Sequence, residues 1–236
     1  MEKFFKEKKV SSIEDLVKHI NDSNKRELKS PFRSTIALIC LVENTSYLST
    51  LVNNEKILKV IYEYEVPVIK GKGRPSCSDL VVITENKAII IEAKRTEPKY
   101  PAVRKWLDGS ENKQLVLNDW LHYIKTYTQE DIHQEDILDI PYQMIHRLAS
   151  ACSFKDKEAK LIYLGFDLKA SMKKYYSNNI NLLKMLTNNK IDIELEEVNI
   201  IKNKQQIILE TKWNEGKRDL SSDVIEGIIR DDLMSF

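Results

Sequence analysis

The chain is poor in the residues that punctuate or cross-link a polypeptide, with 6 Gly, 6 Pro and 3 Cys among 236 residues. So little Gly and Pro excludes collagen-like and low-complexity sequences. Cys40, Cys77 and Cys152 are odd in number and far apart, which excludes a disulfide framework and a paired zinc-ligand spacing. They are expected to be reduced and mostly buried. An excess of one charge is also missing, since 37 Lys+Arg face 36 Asp+Glu for a formal net charge of +1. Any nucleic-acid partner must therefore be argued from local chemistry rather than from a global basic footprint. No apolar run approaches the ~18 residues of a membrane span. Met1 to Val10 alternates Lys, Glu and Phe without the apolar stretch of a signal peptide. A cytoplasmic protein without a membrane partner is expected. What is present, 42 % apolar and 31 % charged residues, suits one globular domain over the whole chain.

The periodicity predicts a first helix from Ser12 to His19, where Ile13, Leu16, Val17 and Ile20 recur at helical spacing. A more apolar helix is predicted from Ser30, with Pro31 at its first position, to about Glu43. From Ile57 to Lys94 β-branched residues dominate and predict three strands: Leu58 to Ile69, Asp79 to Thr84, and Ala88 to Lys94. A basic, glycine-containing loop over Lys70 to Ser76 joins the first two, and a tight turn at Glu85 and Asn86 joins the others. The continuous apolar runs at Leu80 to Ile83 and Ala88 to Ile91 imply strands covered on both faces. Helices at about Asn112 to Tyr127 and Tyr142 to Ser153 lead into a buried strand at Leu161 to Phe166, placed parallel to a neighbour by a right-handed crossover. The tail reads as a helix near Asn179 to Leu186, a hairpin of Asp192 to Ile200 with Gln206 to Lys212, and a short acidic helix. The core thus spans about Ser30 to Phe166, with a C-terminal elaboration from about residue 170 onward.

The chemistry concentrates in the second hairpin. If Glu85 and Asn86 form the turn, Thr84 pairs with Lys87 and Asp79 comes to stand opposite Glu92. Opposed residues share a face, with Cβ atoms about 4.5 to 5.5 Å apart, and Lys94, two residues beyond Glu92, projects from the same face. Two carboxylates beside apolar strands repel each other and resist desolvation unless a cation compensates them. Hard oxygen donors of this kind suit Mg²⁺, with Mn²⁺ as a substitute, and Lys94 could act on a nucleophile or a transition state. This pattern points to phosphodiester hydrolysis.

In these residues the sequence resembles the PD-(D/E)XK nuclease superfamily: Asp79, twelve intervening residues, then Glu92-Ala93-Lys94. Ser78 stands where the motif's proline usually is. The resemblance implies a restriction-endonuclease-like α-β-β-β-α-β core within a mixed sheet flanked by helices. It also implies metal binding by Asp79, Glu92 and the Ala93 backbone carbonyl, with Lys94 as the active-site lysine. Many members add a glutamate from the helix before the first strand. Glu43 is the natural candidate, and Glu65 and Glu27 are weaker ones. Some relatives carry a glutamine on the later helix, which is matched here by Gln143, with Arg147 on the same face at i, i+4 and His146 at i, i+3.

Lys70, Lys72 and Arg74 form the best local patch for DNA phosphates, because glycines between them let backbone amides approach an anion. Lys94, Arg95, Lys99, Arg104 and Lys105 would extend a basic rim. The expected function is a metal-dependent DNA endonuclease of restriction or defence type. A repair, recombination or mobile-element nuclease, and an inactive nucleic-acid-binding module on the same fold, remain alternatives. Cutting both strands needs two sites, so a homodimer is an expected partner state. No P-loop signature suggests a nucleotide cofactor.

Overall fold

The computed structural model describes all residues except 24–27, 29, 45, 203, 218–221, 231–233 and 236. The chain begins with a short antiparallel pair, β1 (Glu2–Phe5) and β2 (Lys8–Val10), then α1 (Ile13–Ser23), α2 (Ser34–Asn44) and the short α3 (Tyr47–Leu51). The three strands of the β-branched region follow as β3 (Lys59–Val66), β4 (Ser76–Ile83) and β5 (Lys87–Lys94). Next come α4 (Val103–Leu107), α5 (Glu111–Thr128), α6 (Gln134–Ile137), α7 (Tyr142–Cys152) and β6 (Glu158–Phe166). The remainder is α8 (Ala170–Leu186), β7 (Asp192–Val198), β8 (Ile201–Lys202), α9 (Lys204–Asn214), α10 (Ser222–Arg230) and β9 (Met234–Ser235).

Seven strands form one mixed sheet in the order β2-β1-β3-β4-β5-β6-β7. In chain order, α2 and α3 precede β3, β4 and β5, and α4 to α7 separate β5 from β6. β6 lies parallel to β5, as the crossover requires. Strand alternation divides the core into two layers. Val60, Tyr62, Leu80, Val82, Ile89 and Ile91 face α1, α2 and α10. Their neighbours Ile61, Val81, Ala88 and Ile90 face α5, α7 and α8. Both faces are covered, which is why these strands read as unbroken apolar runs.

Several expectations need correction. The predicted C-terminal hairpin does not form: Asp192–Val198 joins the sheet edge parallel to β6, and 204–214 is helical. Ile207-Ile208-Leu209 is a short apolar run whose period cannot separate strand from helix. Among its neighbours, Gln, Leu, Glu and Lys are good helix formers, and the Glu210 carboxylate on that helix pairs with the buried Arg95 at 3.1 Å. α2 starts at Ser34 rather than Ser30, because Glu97 from the turn after β5 accepts from Ser34 N and Oγ at 3.0 and 2.9 Å. That carboxylate caps the helix in place of a local residue. β1 and β2 escaped the sequence reading because they are short and rich in Lys and Glu, with β2 at the sheet edge. β1 pairs parallel with β3, from Glu2↔Lys59 to Phe5↔Tyr62. α8 also starts earlier than expected, at Ala170.

Candidate functional site

The site exists because the sheet splits. Pairing of β4 with β5 runs from Ile83↔Ala88 to Leu80↔Ile91 and stops there. β4 continues beside β3 to Val66↔Ser76, while β5 continues beside β6 to Lys94↔Gly165. Ser76 to Asp79 and Glu92 to Lys94 therefore border a gap between diverging strands. The register is the expected one, so Asp79 and Glu92 are carried toward each other. Asp79 bridges the gap by accepting from the Ala93 backbone N–H at 2.7 Å.

Glu92 is almost wholly buried, at 1 % exposure, beneath α7. Lys94 Nζ and Gln143 Nε2 donate to its Oε1 at 2.6 and 2.8 Å. Arg147 Nε donates to its Oε2 in a close ion pair. Burial alone would raise the Glu92 carboxyl, but Arg147 and Lys94 outweigh it and hold the group below the usual carboxylate range. For Lys94, burial favours the neutral amine, yet Glu92 and Asp79 prevail and raise it, so it remains an ammonium. Lys94 also lies over the Tyr100 ring, 5.4 Å from its centroid.

Asp79 differs from its neighbour. It forms no ion pair among the described residues, and burial followed by the Glu92 charge pushes its carboxyl well above the usual range. The Glu63 carboxylate on β3 adds to that repulsion. Glu63 lies between the pairs Tyr62↔Leu80 and Tyr64↔Ser78, across from Asp79. Its backbone has φ 53°, a left-handed conformation inside a strand, which costs a non-glycine residue about 1 to 2 kcal/mol. Its Oε2 accepts from Cys77 Sγ at 2.9 Å. Extending the strand register across the Lys70 to Ser76 loop would have exposed this third carboxylate in the sequence, but the loop's length hid the register.

A polar network backs the cluster. Arg147 Nη1 donates to Ser76 Oγ at 2.9 Å and to His146 Nδ1 at 3.0 Å. Arginine only donates, so Nδ1 is the acceptor and the His146 proton is on Nε2. Burial, then Arg147 and Lys94, drive that imidazole well below its ordinary pKa. On β6, beside Glu92, Tyr163 is fully buried and its hydroxyl has no partner among the described residues. An unpaired buried hydroxyl costs about 1 to 3 kcal/mol, and no sequence signal distinguished this tyrosine.

The other candidates scatter. Glu43 lies in the opposite layer, bonded to Lys3 and, at 3.0 Å, to the hydroxyl of Tyr62, so the sheet separates it from Asp79 and Glu92. Glu65 pairs with Lys6 at 2.7 Å, and Glu27 lies outside the described residues. Lys70, Lys72 and Arg74 are exposed, but the loop amides do not await a phosphate. Asp119 Oδ2 accepts from Ile69, Lys70 and Gly71 N–H at 2.9, 2.8 and 2.8 Å, so the chain's own carboxylate fills the nest. Gly71 is needed there, since a Cβ would stand 2.4 Å from the Val116 side chain. In the expected basic rim, Arg95 is buried against Pro31 O and Glu210, and Arg104 pairs with Asp139.

A family model described as a domain of unknown function, DUF6946, matches residues 9–218. The chain belongs to the DUF6946 family. No curated protein and no solved structure matches it. The chemistry of this DUF6946 chain must accordingly be read from its own residues. Among the described residues no group of three or more His, Cys, Asp or Glu forms a ready metal cage. The donors nevertheless fit a hard divalent cation held by one or two carboxylates and water. Asp79 is a carboxyl whose burial and repulsion by Glu92 outweigh the attraction of Lys94 and Arg147, and Glu63 and Glu92 are beside it.

Proposed function

We propose that this protein is a metal-dependent DNA phosphodiesterase of the restriction-endonuclease-like kind, acting in defence or in DNA repair. The observation that carries this reading is the split between β4 and β5, which assembles Asp79, Glu92 and Lys94 with Gln143 and Arg147 at one place. Asp79 and Glu92, with Glu63 and the Ala93 carbonyl beside them, would hold Mg²⁺ or Mn²⁺. When bound, the metal supplies an acidified water and charge compensation at the phosphate. The Lys94 ammonium stabilises negative charge that develops on the phosphoryl oxygens. Arg147 and Gln143 orient Glu92, and as donors facing the same gap they also contact a substrate phosphate.

The test is incubation of the full chain with supercoiled and linear DNA in Mg²⁺, Mn²⁺ or EDTA. Metal-dependent cutting is expected. Asp79→Asn and Lys94→Ala should each lower the rate about 10²- to 10³-fold, as loss of a preorganised charge does, with unchanged melting cooperativity. Undiminished cutting by both variants overturns the site assignment. The mapped ends then distinguish site-specific defence cutting from structure-specific repair cutting. A second reading, a non-catalytic nucleic-acid-binding module, is favoured by one observation: both Glu92 oxygens already accept from Lys94, Gln143 and Arg147. It predicts DNA binding without cutting in any metal.

A further inference from the structure

We infer that the cleft between the 70–76 loop and helices α4, α5 and α7 binds one unpaired nucleotide of a DNA strand, its phosphate on Lys72 and Arg74 and its base against the aromatic wall. The choice of DNA rests on the reading above. The cavity measures about 340 Å³, within the range of small-ligand pockets. Lys72, Arg74, Ser76, Trp106, Tyr142 and His146 are among its lining residues.

Its wall is built rather than incidental. Trp106 stacks on Tyr142 with centroids 3.6 Å apart and rings inclined by 7°, and Trp120 Nε1 donates to the Tyr142 hydroxyl at 2.9 Å. These contacts fix the rings before a ligand arrives, which spares it the ordering cost. The cationic rim is fixed as well. Asn112 clamps the loop, accepting from Lys72 N at 2.7 Å and donating to Lys72 O at 2.6 Å, and Asp119 fills the nest beneath it. Neither Lys72 nor Arg74 has an ion-pair partner among the described residues, and both are exposed.

Cations beside aromatic rings are the chemistry of single-stranded nucleic-acid binding, where rings stack on bases and cations follow the phosphates. A base held in a duplex cannot enter such a pocket, so the nucleotide must be unpaired or extruded. His146 contributes a donor: its Nδ1 is engaged by Arg147, and Nε2–H has no partner among the described residues. Ser76 and His146 line the cleft and both bond Arg147, which grips Glu92. A nucleotide in the cleft is thus joined to the carboxylates through Ser76 or His146 and then Arg147, on the side from which a neighbouring phosphodiester could reach them.

The test uses the full-length Asp79→Asn protein in EDTA, so that no probe is cut. Fluorescence anisotropy measures its affinity for a labelled oligo-dT strand and for the same strand paired with oligo-dA. At least tenfold tighter binding of the single strand is expected. Trp106→Ala should weaken it about tenfold or more. Arg74→Ala alters only an exposed side chain, so it answers for the case in which the tryptophan variant misfolds. It should weaken binding and lower the salt slope by about 1. Equal affinity for single and paired strands, or unaltered binding in both variants, overturns the inference. So does competition by inorganic phosphate as strong as that by dTMP. If the wild type cuts duplex DNA but fails these tests, only the pocket falls. If it never cuts but binds as described, the pocket stands and the hydrolytic reading falls.

Discussion

The two faces of the central sheet are built from the same strands and solve opposite problems. Toward α1 and α2, Val60, Leu80, Val82, Ile89 and Ile91 make an apolar layer, beside which Glu43 pairs with Lys3 and the buried Arg95 with Glu210. Toward α7, apolar residues line the middle of the strands, but their ends bury Glu92, Lys94, Gln143 and Arg147 together. The first face stabilises by removing area from water. The second spends stability: two ion pairs inside a protein seldom repay their desolvation, and Tyr163 adds an unpaired hydroxyl. The densest concentration of such costs lies on this second face, at the point where the strands part, which is where the proposed site stands.

Substitutions can break or sharpen this contrast. The largest effect is expected from Arg147→Ala, which breaks one of the two buried ion pairs of Glu92 and leaves its Oε2 without that donor, and should cost about 3 to 5 kcal/mol in urea melts. Combining Glu92→Gln with Lys94→Met and Arg147→Met should cost less than Arg147→Ala alone, because no member of the Lys94–Glu92–Arg147 cluster then keeps a charge without its partner. If the triple variant is the worse, the cluster is not a desolvation-limited network. Next comes Gly71→Ala. The added methyl meets Val116, and overpacking of this kind costs about 1 to 3 kcal/mol.

A smaller effect separates the faces by pH. His146 is held neutral in the folded state and titrates near its ordinary value when unfolded, so its stabilisation is intact above about pH 6.5 and declines below it. Between pH 7.5 and 5.5 the loss should be about 1 kcal/mol. Melts of His146→Asn should show a correspondingly flatter dependence, and an equally steep profile would refute the assignment. Smallest is Glu97→Gln at the start of α2, on the apolar face. Loss of the anion at the helix N-terminus should cost about 0.5 to 1 kcal/mol at pH 7. That cost should vanish in acid as the wild-type carboxyl, held low by backbone N–H donors against its burial, takes up its proton.

Sequence by itself determined the order of α2, β3, β4, β5, α5, α7 and β6, though not the short helices α3, α4 and α6 between them, and the register that brings Asp79 toward Glu92. Those features follow from local periodicity and a two-residue turn, both encoded within a few positions of the residues concerned. It also determined that Gln143 and Arg147 share a helix face, and both reach Glu92. Only the tertiary structure decided on which side of the sheet Glu43 would fall, and that Glu63 rather than Glu43 would approach Asp79. A helix carries no local record of the face it packs on, and the Lys70 to Ser76 loop breaks the register between β3 and β4. The same holds for Asp119, which is 48 positions from Gly71 yet occupies the anion nest of the Lys70 to Ser76 loop. It holds also for Arg95, drawn inward by Glu210 on a helix that was read as a strand. Period and turn geometry are short-range properties, whereas the partner of a charge is settled by whichever distant element desolvates it.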